Sequence, residues 1–217
     1  MAREHGRGRA GSDVELDLRE AVGGEKAAAY HAVPASERGR GVLVLDESGA
    51  LGDFGRDACD RLARAGFAAL APDLPAGGAA RPRIDAAVRF LLDDQATDGP
   101  RVGVLGFEEG AIRLFEDARG LHRIGCIVAC GSVPSVAGDA EPDPGSPLPV
   151  PMLLLIGEQD ERAEEAREVE RGLSSCRLLL LPGAAAGFMN PARADRHDAG
   201  AAASAWDAAL AFLEASL

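Results

Sequence analysis

Aromatic side chains are scarce: Phe, Trp and Tyr make up 4% of the 217 residues, with a single Trp and a single Tyr. Any core must be filled by aliphatic groups, and an apolar fraction of 47% is enough to build a large one. Positive charge is also short. Lysine and arginine number 23 against 35 aspartates and glutamates, a formal net charge of −12. Nucleic-acid binding needs a basic stripe, so no nucleic-acid partner is expected, and the dispersed negative charge serves solubility. No apolar run approaches the roughly 18 residues of a membrane-spanning helix, so no membrane partner is expected either. Residues 1–12 carry Arg3, Arg7 and Arg9 without a following apolar segment, which does not read as a secretory signal. They read as a disordered basic tail ahead of one domain over residues 13–217. Cys59, Cys126, Cys130 and Cys176 form no C-x-x-C pair and no zinc spacing. Reduced, packed thiols in a cytoplasmic protein are the expectation.

What is present is a regular alternation of strand-like and helix-like segments. Residues 14–22 alternate charged and apolar side chains, Gly23-Gly24 supplies a turn, and residues 26–33 read as a second strand. The pair predicts an antiparallel hairpin at a sheet edge. Residues 41–45 are a continuous apolar run, the pattern of a strand buried on both faces. Helical spacing follows over 56–65, with Ala58, Leu62 and Ala63 inward and Gly66 as the stop. Further strands are expected at 67–71, 102–105, 124–129, 152–156 and 177–181. Further helices are expected at 84–92, 110–118, 161–173 and 201–217. The last carries Trp206, Leu210 and Phe212, with Trp206 read as core packing. The 161–173 helix reads as a solvated charged face whose i,i+4 pairs, Glu164 with Glu168 and Arg167 with Arg171, are like-charged and give little support. The fold class is α/β: a mostly parallel sheet with helices on both faces. Residues 133–151, rich in Pro, Gly and Asp, read as a surface loop.

The most informative stretch is Gly106-Phe107-Glu108-Glu109-Gly110, between the strand at 102–105 and the helix at 110–118. That is the setting of a G-x-S-x-G nucleophile elbow, in which a sharp strand-to-helix turn holds the central side chain above the sheet. Glutamate stands where that motif has a nucleophilic hydroxyl or thiol.

Three segments resemble the dienelactone hydrolase family of α/β-hydrolases in order and spacing: residues 45–74, G-F-E-E-G, and L-P-G-A-A-A-G-F-M-N-P over 181–191. The resemblance runs from about Val14 to the C-terminus and implies an α/β-hydrolase fold. In that family a cysteine or serine at the elbow works with a later aspartate and a histidine. By resemblance those positions fall on Glu108, Asp160 and Ala186. A glutamate near the family's nucleophile falls on Glu47, and the oxyanion-hole amides on Ser48 and Glu109. Phe107, Ala186 and Phe188 are expected to line the pocket. The family's segment between residues 74 and 84 is usually longer, so this site should be more open. Arg81 and Arg83 there read as solvated loop residues.

An alanine cannot move a proton, so histidine-type activation is absent at position 186. His197, the best-placed substitute, reads as a surface residue at the start of the last helix. What remains is a set of carboxylates, Glu108, Glu47 and Asp160, with Glu109 beside them. If they converge, burial and like charge hold one proton near neutral pH and make an acid/base pair. Three readings stay open: a non-hydrolytic acid/base enzyme using Glu108 on a small carbonyl-containing metabolite, a ligand- or partner-binding protein without catalysis, and a residual ester or lactone hydrolase. A small molecule is the expected partner. Residues Gly103 to Gly110 lack the G-x-G-x-x-G spacing of a phosphate loop, and there is no Walker-type lysine and no carboxylate loop of calcium-binding spacing. Neither cofactor nor metal is expected, and the oligomeric state is left open.

Overall fold

The computed structural model describes residues 11–18, 25–74, 80–117, 123–134 and 150–217. Strands β1 (Ser12–Asp17), β2 (Lys26–Ala32), β3 (Gly39–Leu45) and β4 (Ala68–Pro72) are followed by β5 (Thr97–Phe107), β6 (Ile124–Cys130), β7 (Met152–Gly157) and β8 (Cys176–Leu181). They form an eight-stranded sheet in the order β1-β2-β4-β3-β5-β6-β7-β8. β1 and β2 pair antiparallel, β2 pairs antiparallel with β4, and every pairing from β4 through β3 to β8 is parallel. Helices α1 (Asp53–Arg64), α2 (Ala80–Asp93), α3 (Glu109–Asp117) and α4 (Ala163–Gly172) lie in crossovers between strands, α5 (Ala199–Ser216) follows the last strand, and together they cover both faces.

The two-residue period of β3 shows how the layers form. Leu43 and Leu45 pack into the layer that holds Ile84, Leu91 and Leu114, under α2 and α3. Val42 and Val44 point the other way, into the layer with Leu62, Trp206 and Leu213, under α1 and α5. Short aliphatic side chains fill both layers, and large aromatics are not needed. No helix among the described residues is long and apolar enough to cross a membrane.

Several boundaries differ from the sequence reading. β1 begins at Ser12, paired with His31, and the Gly11 amide donates to Asp60 Oδ1 at 3.1 Å. Residues 11 and 12, read as tail, therefore take part in this packing, and the rest of that stretch lies outside the described residues. So do the Gly23-Gly24 turn, the segment 75–79 and most of the loop at 133–151. α1 starts three residues early because its N-terminal amides have a remote acceptor. Asp46 Oδ2 accepts from Gly52 N at 2.8 Å and Gly55 N at 3.0 Å. α2 begins at Ala80, so Arg81 and Arg83 are helical rather than solvated loop residues. Arg81 pairs with Asp85 at 2.9 Å, and Arg83 with Glu25 at 3.2 Å and the Asp73 carbonyl at 3.2 Å. On α4 the like-charged spacing is bypassed: Arg167 and Arg171 both reach Glu164, at 3.0 and 3.2 Å.

Candidate active site

β5 ends at Phe107, α3 begins at Glu109, and Glu108 makes the turn between them with φ +46°. A left-handed conformation is costly for a residue with a side chain and persists only where the surroundings over-determine it. Here they do. The Glu108 amide donates to the Cys130 carbonyl at 2.8 Å. Its carbonyl accepts from Ala111 and Ile112 amides and from the buried Ser132 hydroxyl. The glycines around it serve close approach. A Cβ on Gly110 would lie 2.3 Å from the Asp46 carbonyl oxygen, and one on Gly131 would lie 2.0 Å from Glu108 Oε1. The Glu108 carboxyl thus rests directly on the Gly131 backbone, past the end of β6.

The sites predicted from sequence come together in part. Asp160, in the loop after β7, has a side chain with 0% exposure and is close enough to act on the Glu108 charge. Burial first, and then Asp160, push the Glu108 carboxyl up to about 7; Arg162, Arg193 and the Gly187 amide pull in the other direction without cancelling them. Glu47 is held by Arg193, whose Nε and Nη2 lie 3.0 and 2.9 Å from its Oε1. Ala186 is half-buried, in the loop that puts the Gly187 amide against Glu108.

Other expected members are placed differently. The Glu109 carboxylate lies 3.6 Å from Arg113 on the next turn of α3, so it leaves the cluster. The Glu109 amide, expected as an oxyanion donor, donates to the Glu47 carbonyl at 3.1 Å. Ser48, expected through its backbone amide, is exposed, and the bond of its hydroxyl to the Ala50 carbonyl at 3.3 Å leaves that expectation as it stood. Phe107 is 1% exposed and packs against Phe54 and Trp206, with ring centroids 4.8 and 6.0 Å apart. Phe188 is equally buried in the same layer. Both were expected in the pocket wall, and both are core. His197 bonds through Nδ1 to the Phe188 carbonyl at 2.9 Å and lines a cleft between α1 and α5 with Arg61 and Trp206. His31 sits 3.1 Å from Asp94, edge-on to Phe90, and burial lowers its proton affinity.

The sequence reading missed Arg162, Arg193, Gly131 and Ser132. Arg162 Nη1 lies 3.9 Å from Asp160 Oδ1 and 3.5 Å from the Gly131 carbonyl. Gly131 directly follows an apolar strand, which was a usable signal. The arginines sit among other loop charges with no periodicity to mark them.

The comparisons with known proteins agree with this architecture. A curated relative, Protein usf of Aquifex pyrophilus, is 27% identical over 224 residues, covering 88% of this chain and 94% of that one. A solved dienelactone hydrolase-like promiscuous phosphotriesterase from metagenomic libraries superposes with a TM-score of 0.74 at 25% identity, covering 95% of this chain and 99% of that one. A solved protein described as a dienelactone hydrolase from Anabaena variabilis gives a TM-score of 0.71 at 19% identity, with coverages of 96% and 99%. The family model described as the dienelactone hydrolase family matches residues 27–83 and 75–217 in two overlapping segments, and the chain belongs to that family.

Proposed function

We propose that this protein is a member of the dienelactone hydrolase family that works by acid/base catalysis at Glu108 on a small carbonyl compound, without a covalent intermediate. In this reading Glu108 stands at the family's nucleophile position and Ala186 at its histidine position. The observation that carries it is the Glu108 carboxyl, raised to about 7 by burial and by Asp160 at the tip of a strained elbow. A group that titrates near the working pH can both take and return a proton. The ionised carboxylate removes a proton from the carbon beside a carbonyl, and the electron pair moves into the enolate. The protonated carboxyl then gives the proton back at a different atom, which completes an isomerisation. Asp160 lies close enough to raise the proton affinity of Glu108, second to burial. Arg162 and Arg193 offset charge that develops on oxygen. Cyclisation, elimination and hydration use the same proton transfers.

A second reading, ester or lactone hydrolysis with Glu108 as base toward water, is favoured by the family itself and by the phosphotriesterase named above. Against it stands the Glu109 amide, engaged by the Glu47 carbonyl rather than open to an oxyanion.

A turnover screen with Glu108→Gln in parallel tests the proposal. Enolisable carbonyl compounds are incubated in deuterated water, and activated esters and lactones are assayed beside them. The proposal expects deuterium incorporation by the parent, none by the variant, and no ester cleavage by either. Ester cleavage that needs Glu108 would replace it with the hydrolytic reading. Inertness of both proteins toward every compound would favour a binding role.

A further inference from the structure

The Asp160 carboxylate is fully buried, yet among the described residues only one of its oxygens is engaged. Oδ1 accepts from the Arg162 amide at 2.9 Å and faces the Arg162 guanidinium. Oδ2 has no hydrogen-bond partner among the described residues. A buried carboxylate oxygen without a donor is costly, and such groups are normally satisfied by protein, water or ligand.

The loop that carries Ala186 links Asp160 to Glu108. The Gln159 amide bonds to the Ala184 carbonyl at 2.9 Å, and the Gly187 amide faces the Glu108 carboxyl. The loop 184–187 therefore spans from the loop of Asp160 to Glu108, with Ala186 between them. Ala186 offers only a methyl group there. Neither His31 nor His197 serves Asp160, since each is engaged elsewhere.

We propose that Asp160 Oδ2 binds an N–H group of the ligand beside Ala186, so that the carbonyl compound handled at Glu108 is a lactam-, imide- or azole-type molecule. The binding chemistry stands on Asp160 alone; only the word substrate rests on the acid/base reading. An N–H suits the site better than the other donors. A hydroxyl would bring its own lone pairs up to the Glu108 oxygens. An ammonium would bring three donors to a place with one free acceptor, beside the Arg162 guanidinium. A planar ring N–H brings one directed donor and no lone pair on the same atom.

The test uses imidazole as the probe and furan as the ring that lacks N–H, titrated at pH 8 into the full-length protein by calorimetry. Imidazole is expected to bind, and furan to bind at least about tenfold more weakly, the order of one hydrogen bond to a charged group. Ala186→His leaves Asp160 in place, fills the space with a tethered imidazole, and should abolish binding of the free one. Asp160→Asn should weaken imidazole by a similar factor. No imidazole binding, equal binding of furan, or unchanged binding in Ala186→His would overturn the inference. The readout involves no turnover. Failure here with Glu108-dependent proton exchange intact would remove the nitrogen ligand and leave the acid/base reading. Imidazole binding without exchange would do the reverse.

Discussion

Glu108 carries a cost that varies with pH. Its folded-state proton affinity is raised to about 7 from an ordinary 4.5. At acid pH the carboxyl is protonated in both folded and unfolded chains, and nothing is lost. As pH rises from 4.5 to 7 the unfolded chain ionises first, and stability falls. Above 7 the penalty levels off at about 3 kcal/mol. Glu108→Gln removes the charge, so at pH 8 it should unfold several degrees higher than the parent in a thermal melt, and the gap should narrow at pH 5.5. A gap of equal size at both pH values would show that burial of this charge is not its cause. Gly131 is the second residue with a sharp expectation. It has φ +71°, and a Cβ there would meet Glu108 Oε1. Gly131→Ala should cost more than about 1 kcal/mol in denaturant unfolding and shift the apparent Glu108 titration. Glu108 could be recognised in the sequence because its motif surrounds it. Its neighbours Arg162 and Arg193 could not, because they arrive from separate loops after residue 157 and meet only in the folded chain.

Elements that rest on a buried stripe or an apolar run were readable, whereas their ends depend on partners far along the chain. β3 is recognisable in Gly41-Val42-Leu43-Val44-Leu45, since both faces of a central parallel strand are covered. The start of α1 is not, because its cap is Asp46, seven residues before the first helical residue. α5 is capped locally: Asp198 Oδ1 accepts from the Ala201 amide at 2.9 Å. Asp198→Ala should therefore cost about 1 kcal/mol, read as a small drop in melting temperature with activity at Glu108 unaffected. The elbow helix is a harsher case. In Gly110→Ala the new methyl would meet the Asp46 and Leu45 carbonyl oxygens, at 2.3 and 2.7 Å. Both contacts are backbone, so α3 must move away from β3, at a cost of more than about 2 kcal/mol. A variant as stable as the parent would contradict this account of the junction.

At the scale of the molecule, two aliphatic layers flank one sheet, and all four cysteines are buried within it. Burial raises the Cys126 thiol to about 12 and the Cys176 thiol to about 11, and pushes Cys59 and Cys130 well above the ordinary range. Thiolate is the reactive form, so the native protein should resist a thiol reagent at pH 8 until denaturant exposes all four groups. Rapid labelling of any of them in the native state would count against this packing. The whole-chain alternation of strands and helices made the fold class legible, along with the edge hairpin. The site was legible only as a set of positions. Burial, ion pairing and the direction in which a carboxylate points are decided by which loops converge beyond the parallel strands. That is why Glu109 turned out to pair with Arg113, and Phe107 and Phe188 to be core.

The central claim is that a proton sits on the elbow glutamate near neutral pH. A carbon-13 NMR titration of the side-chain carboxyl groups, with Glu108→Gln to assign the resonance, reads it directly and needs no substrate. The account predicts one carboxyl, lost in the variant, with an apparent pKa near 7. A Glu108 resonance that titrates near the ordinary value of 4.5 would contradict it.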